Sequence, residues 1–206
     1  MLAALALGPA SLGALVERTG MSRATAHRLA SALAVHGLVR RDDDGRFALG
    51  VALVTLGRTA AEQFPLASVA EPALEALRAQ TGESVQLYVA EGDRRVCVAS
   101  LESPHGLRTI VPTGAVLPLD RGSAGRVLTP GWRPAGQHRW VASVEEREPG
   151  VASVSAPVCD AAGDIVAAVG ISGPVGRTTR RPGPRYGPAV EDAAVAIEEA
   201  AGLRTR

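Results

Sequence analysis

The 206-residue sequence predicts an α+β protein: an N-terminal three-helix winged helix-turn-helix, a linker helix, and a C-terminal antiparallel sheet flanked by helices. Three observations carry this. Residues 1–49 hold three short helical patterns and then two short runs around Asp44-Gly45. Residues 51–64 form a helical stretch that is apolar on most sides and ends at Pro65. Beyond it, two hairpin patterns at 84–102 and 151–173 lie between helical stretches. The expected domains are 1–49, a helix at 50–65 that fits either a linker and dimerisation role or an intramolecular core helix, and 66–206.

The first helix spans Leu2 to Leu7 and stops at Gly8-Pro9. Ser11 caps the second, which carries Leu12, Leu15, Val16 and Thr19 at i, i+3, i+4 and i+7. Gly20-Met21-Ser22 makes a tight turn, and Ser22 caps a third helix with Ala26, Leu29, Ala30 and Leu33 on one apolar stripe, ended by Gly37. Strands at 38–41 and 46–49 flank "DDDG", where Asp44 and Gly45 both tolerate positive φ. In the second half, a helix is expected from about Pro72 to Gln80, because proline belongs in a first turn or at a kink. Strands around Gly92-Asp93 follow, then one near Leu107 to Val111, the 151–173 hairpin, and a helix from about Pro188 to Ala201. "RTTRRPGPR" at 177–185 reads as a solvated loop.

Composition narrows the function. With 46% hydrophobic and 21% charged residues the chain is globular. A net charge of +1 gives no global basic footprint: residues 1–64 hold seven arginines and five carboxylates, and residues 65–206 hold fifteen and sixteen. Any nucleic-acid contact must be local. All 22 basic residues are arginine. Cys97 and Cys159 match no metal or redox spacing, the four histidines show no zinc pattern, and the apolar first eight residues are too short to span a bilayer. A soluble, cytoplasmic protein without cofactor or metal is expected.

A helix, a three-residue turn, a helix and a hairpin follow in the order of a winged helix-turn-helix, whose second helix of the pair enters a major groove. At about 100° per residue, Ala24, His27, Arg28 and Ser31 lie opposite the apolar stripe. Arg28 suits bidentate pairing with guanine, His27 a base edge or phosphate, and Thr25 a phosphate or thymine methyl. Arg23 suits a phosphate, as do the Ser22 hydroxyl and the helix end it caps. The same pattern also fits a solvated face on a small three-helix domain, and winged helices serve as protein-interaction modules too.

The stretch "SLGALVERTGMSRATAHRLASALAVHGLVRRDDDGRFALG", with "GAVLPLDRGSAGRVL" and "EREPGVASVSAPVCDAAGDIVAAVGISGP" downstream, resembles IclR-type bacterial transcription regulators over nearly the whole chain. Within that family it looks nearest to actinobacterial regulators of amino-acid metabolism, leucine biosynthesis in particular. The resemblance implies binding to a palindromic DNA operator and a GAF-like domain that takes a small-molecule effector. It also implies homodimers through the N-terminal part, often paired as dimers of dimers. Carried over by motif, the effector contacts fall on Ser123, Ala124, Glu146 or a neighbour, Ser153 and Ser172. The amides of Ser123, Ala124 and Gly125 would stand at a positive helix end, which favours a carboxylate or phosphate. Six aromatic residues offer little stacking, so a small organic acid, amino acid or keto acid fits better than a large flat ligand. Ser153 and Ser172 also fit a purely structural role as strand neighbours.

Two departures from the family stand out. Three aspartates at the wing tip oppose phosphates unless Arg40, Arg41 and Arg46 neutralise them, so backbone contacts are expected from the wing's arginines and none from its tip. Only Val127 to Glu145 joins the two C-terminal blocks, where the family has a longer stretch, and "TPGWRPAGQHRW" reads as two ends joined. Competing functions are a redox-sensing regulator acting through Cys97 and Cys159, and a small GAF-like enzyme or interaction module. "GISGP" at 170–174 lacks the final glycine of a nucleophile elbow.

Overall fold

A computed structural model describes residues 1–62, 65–134 and 136–203. The chain divides into two compact units, Met1–Phe64 and Pro65–Arg206. The expected linker helix falls partly on residues 63 and 64, outside the described residues.

Local signals build the first unit. Helix α1 is Leu2–Ala6, α2 is Leu12–Thr19 and α3 is Arg23–Val35. Ser11 Oγ accepts from the Ala14 amide, and Ser22 Oγ accepts from the Thr25 amide, both at 3.2 Å, so each serine fills a free donor of its helix. Gly20 closes α2 in the left-handed conformation, φ +68°. The Arg18 guanidinium donates to the carbonyls of Ala4 and Gly8 at 3.0 Å, which fastens α1 to α2. Leu5, Ala10, Leu15, Ala30, Val39 and Phe47 form the small core.

Strands β1, Val39–Arg41, and β2, Phe47–Leu49, make the wing, and a two-way backbone pairing of Ala10 with Phe47 pins it to the helices. Of the two turn residues only Gly45 takes a positive φ, +72°, because Asp42 closes the loop by accepting from the amides of Asp44 and Arg46. Val51, just before the next helix, and Val54 and Leu56 of that helix, α4 (Ala52–Glu62), are exposed at 77%, 72% and 55%.

The second unit opens with α5, Pro65–Thr81, and continues with β3 (Ser84–Glu91), β4 (Arg94–Leu101), β5 (Val116–Pro118), α6 (Ser123–Leu128), β6 (Val141–Val144), β7 (Val151–Cys159), β8 (Ile165–Pro174), α7 (Val175–Thr178) and α8 (Pro182–Ala200). The strands form one antiparallel sheet in the order β5-β4-β3-β8-β7-β6. Val85, Leu87, Val154, Ala156, Val169 and Ile171 point to one face and pack on Leu74 and Leu77 of α5 and on Val190 and Ile197 of α8. The other face carries α6 over Tyr88, Cys97 and Ala168.

Four expectations change. Helix α5 begins seven residues before Pro72, and α8 six before Pro188. Pro72 and Pro188 lie on exposed faces, and the carbonyls they deprive of a donor belong to the exposed Ser68 and Pro184, where water substitutes. The loop expected at 177–185 is instead α7 and the first turn of α8. Residues 107–111 are not a strand: the Thr109 carbonyl accepts from Ser84 Oγ at the start of β3 at 2.6 Å, and the sheet gains β5 instead. Strand β6 was not foreseen, because its pairing with β7 depends on a distant partner.

Two tertiary ties hold α7 and α8. The Arg177 guanidinium meets the buried Glu83 carboxylate in a two-pronged pair, 2.6 and 2.7 Å. The indole of Trp140 lies against Gly183 and Gly187 of α8 so closely that a Cβ at either glycine would overlap the ring. Replacing Gly187 with valine should therefore cost about 1–3 kcal/mol of stability, read from urea unfolding of the full chain; a loss under half that range would mean the indole moves aside freely.

The cysteines are separated by three strand spacings, roughly 14 Å across β4, β3, β8 and β7, which bars a disulfide between them. Burial pushes the Cys97 thiol up to about 12, against one backbone hydrogen bond that lowers it. Burial also raises the Cys159 thiol, with Arg139 working in the opposite direction. Cys97 should resist alkylation by iodoacetamide at pH 8 in the folded chain and react only after denaturation; fast native labelling of that thiol would contradict its burial.

Candidate functional site

Two surfaces hold the residues singled out from the sequence. On the first unit, Ser22, Arg23, Ala24, Thr25, His27 and Arg28 are all exposed, while Ala26 and Ala30 are fully buried on the opposite side of α3. The buried stripe is made of small residues because α3 crosses close to its neighbours, and the polar side is left to solvent. Ser22 is half committed: besides the Thr25 amide, its hydroxyl lies 2.9 Å from Thr25 Oγ1.

The wing's arginines are not equivalent. Arg46 pairs with Asp42 at 2.9 Å and Asp44 at 2.8 Å, so it neutralises two of the three tip carboxylates. Slight burial pushes Asp42 up, but hydrogen bonds from the Arg46 amide and guanidinium bring its carboxyl below the usual range. Arg41 donates to the Gly45 carbonyl and stacks over the Phe47 ring at 4.1 Å. Arg40 is exposed on the strand.

In the second unit, alternation along the strands builds a polar cavity beneath α6. Side chains at 153 and 155 on β7, 172 on β8, and 86 and 88 on β3 leave the apolar core and face α6, with Gly170 of β8 between them. They enclose about 30 Å³, together with Ser123, Ala124, Ser143, Arg95 and Arg147. That is room for about two water molecules. Ser123 Oγ bonds Ser153 Oγ and Ser155 Oγ, each at 2.8 Å, and Ser172 Oγ donates to Gln86 Oε1 at 3.0 Å.

Four of the expected effector residues thus converge: Ser123, Ala124, Ser153 and Ser172 line the cavity. Gly125 and Glu146 do not. Gly125 sits where a Cβ would overlap the Leu119 carbonyl and the Arg95 guanidinium, so its role is close packing. Glu146 accepts from the Gly122 amide at 3.2 Å and pairs with Arg126 at 3.0 Å, which ties the start of α6 to the 145–150 turn.

The positive end expected of α6 is also modest, since the helix has six residues. Positive charge comes from Arg95 and Arg147 instead. Arg95 is 2% exposed, donates to the carbonyls of Pro118 and Arg121, and lies 5.3 Å from the Tyr88 ring centre. Burial pulls its pKa down and nearby Arg147 adds to this, while Tyr88 and Asp120 raise it. Gln86 had a sequence signal: with Tyr88 it is a polar residue alternating with Val85, Leu87 and Val89. Arg95 had none, because strand pairing brings it in, and Arg147 was reached only as the neighbour of Glu146. Among the described residues, no group of three or more His, Cys, Asp or Glu is placed to hold a metal ion, and no helix is long and apolar enough to cross a membrane.

Comparison with known proteins bears on both surfaces. Residues 1–43 match the IclR helix-turn-helix domain, and residues 58–138 and 135–199 match the bacterial transcriptional regulator IclR C-terminal domain. The second match comes in two pieces that meet at 135–138, inside the stretch found to be short. The glycerol operon regulatory protein of Streptomyces coelicolor is 29% identical over 238 aligned positions, covering 98% of this chain and 93% of that protein. The transcriptional regulator KipR of Bacillus subtilis is 30% identical over 118 residues, 57% of this chain and 47% of KipR.

Among solved structures, an IclR-type regulator from Alicyclobacillus acidocaldarius superposes with a TM-score of 0.79 at 21% identity, covering 94% of this chain and 91% of that one. An IclR homologue from Microbacterium hydrocarbonoxydans, complexed with 4-hydroxybenzoate, gives 0.76 at 20% identity, with coverage of 93% and 91%. None of these names concerns amino-acid or leucine metabolism, so the narrower placement gains no support from them. Domain matches at both ends, a relative alike along its full length and the shared fold agree: the chain belongs to the IclR family of DNA-binding bacterial transcriptional regulators with a C-terminal effector-binding domain.

Proposed function

We propose that α3 reads an operator in the major groove, and that a small organic acid bound beneath α6 adjusts that affinity. The exposed polar side of α3 over a fully buried small-residue side carries the DNA half of this reading. Arg28 and His27 face base edges, Arg23 and Thr25 take phosphates, and the Ser22-capped helix end adds its amides. On the wing, Arg40 is the phosphate contact. Arg46 is engaged with Asp42 and Asp44 and serves to remove their repulsion, and Arg41 braces the loop.

The exposed apolar residues Val51, just before α4, and Val54 and Leu56 within it suit a second copy of the chain, which would present two α3 helices to half-sites about 34 Å apart. The protein then acts in the cytoplasm as a homodimer, alone or paired into a dimer of dimers, and catalyses no reaction. Cys97 and Cys159 do not fit a redox sensor: both thiols are raised and they are too far apart to bridge.

For the effector, the cavity favours a small, acceptor-rich molecule. A carboxylate in the similar Microbacterium hydrocarbonoxydans regulator supports an acid as ligand class. No pathway follows from the site.

Two measurements test this. Alanine at both Arg23 and Arg28 should weaken binding to an operator selected from genomic fragments by about 10–100-fold and flatten the salt dependence by about one to two phosphate contacts, read by fluorescence anisotropy; parental affinity in that variant would remove α3 as the reader. Aspartate at Val54, an exposed position that leaves the fold intact, should shift the chain to monomer in sedimentation velocity and lower operator affinity with it. A V54D protein that sediments like the parent would place the interface elsewhere.

A further inference from the structure

We infer that the outer edge of β6 is a docking surface for a second copy of this chain, the two β6 strands pairing antiparallel so that their sheets become continuous. The inference rests on the proposed α4 dimer only for its use, since β6 would then join copies that α4 has already paired.

Backbone direction is the first argument. Strand β6 (Val141–Val144) ends the sheet, with β7 on one side and no strand on the other among the described residues. The Glu145 amide donates to the Val151 carbonyl, so Glu145 and Val151 form a hydrogen-bonded pair. Such pairs alternate along an antiparallel ladder, which makes Ser143 and Val141 the residues that bond to β7. Ala142 and Val144 therefore turn their N–H and C=O groups outward. The Arg126 guanidinium, which reaches the Ala142 carbonyl from outside at 3.3 Å, agrees with this. Proteins usually guard such an edge with a charge, a proline or a bulge. Val141–Val144 has no charged residue, no proline and no slip in its register with β7.

Charge selects the occupant. From residue 121 to 144 there are four arginines and no carboxylate, and then Glu145, Glu146 and Glu148 follow around Arg147. Antiparallel pairing of this strand with its own copy sets the basic approach of each beside the acidic exit of the other. Parallel pairing would set like against like. Two of these charges are loosely held: Arg133 is exposed and donates to the Trp132 carbonyl, and Glu148 meets Arg147 at 3.5 Å. Apolar surface adds to the contact. Pro130, Trp132 and Val141 line an open groove of about 770 Å³ beside the edge, and a two-fold axis at β6 brings the grooves of both copies together.

The bare edge goes with the short connection. The alignment with the Streptomyces coelicolor protein has 238 positions against the 206 residues of this chain, so at least 32 positions there have no counterpart here. The C-terminal domain match breaks at 135–138, on the approach to β6. A regulator with those residues has chain available beside this edge, and the present one does not.

Sedimentation velocity of the full chain from about 2 to 200 µM, for the parent and for V54D, separates the two surfaces; a strand this short suggests a Kd on the order of 10–100 µM. The mass at the dilute end reports on α4, and a doubling of that mass with concentration reports on β6. Val144→Pro removes an outward N–H and no bond to β7, so it should keep the parental Tm and weaken the doubling about tenfold or more. Charge gives a second reading that holds even where the proline variant unfolds early. Arg133→Glu and Glu148→Arg should each weaken the doubling severalfold, and an equimolar mixture of the two should recover it. A chain that keeps its dilute mass across the whole range overturns the pairing, as does doubling that persists unchanged in the proline variant and in both charge variants. Equal dilute masses for the parent and V54D would overturn the α4 dimer and leave the β6 pairing to the doubling alone.

Discussion

The alternation of side chains along β3, β7 and β8 is the constraint from which the second unit follows. Because successive residues leave a strand on opposite sides, one face of the sheet becomes Val, Leu, Ile and Ala against α5 and α8. The other collects Gln86, Ser153, Ser155 and Ser172 beneath α6. A register slip of one residue would send the serines into the dry layer and the valines into the cavity. The dry layer therefore fixes the register, and the register places the polar groups. Stability and recognition share one pattern and are separated only by parity.

That parity explains what the sequence made legible. Short-range chemistry was readable: Ser11 and Ser22 as caps, Gly20 and Gly37 as helix ends, Gly92 as a hairpin turn, and both major hairpins. The cavity-lining Ser123, Ser153 and Ser172 were reached through motifs because each lies next to a recognisable turn or in a Val-rich run. What escaped depends on partners far along the chain. Strands β5 and β6 exist only where β4 and β7 offer an edge. The early starts of α5 and α8 depend on which side their prolines face. Arg95 reaches the cavity from the strand beside Tyr88, and nothing in "GDRRVCV" announces that one arginine is buried and its neighbour is not.

The first unit resolves a conflict that its sequence posed. Three aspartates on the wing of a DNA-binding domain look self-defeating, yet two of them bind Arg46 and one of these also organises the turn. The acidic run is thus largely internal wiring of a tight loop, and the charge left facing outward comes from α3 and Arg40. A unit with an excess of only two arginines can present a basic face because two of its five carboxylates are neutralised locally by Arg46.

Trp140 lodged in the glycine notch of α8 has a consequence for how this architecture varies. The connection from α6 to β6 is held at its far end by that indole, and at its near end by Arg126, which reaches both Glu146 and the Ala142 carbonyl. Closer in, Trp132 packs with the core under α6, and Arg139 donates to Glu198 and to the Pro157 carbonyl of β7, so residues 133–138 lie between the last of the anchors. Residues can be gained or lost there without the strands noticing, which makes the segment a tolerant seam where lineages are free to drift in length while the chamber beside it keeps its shape.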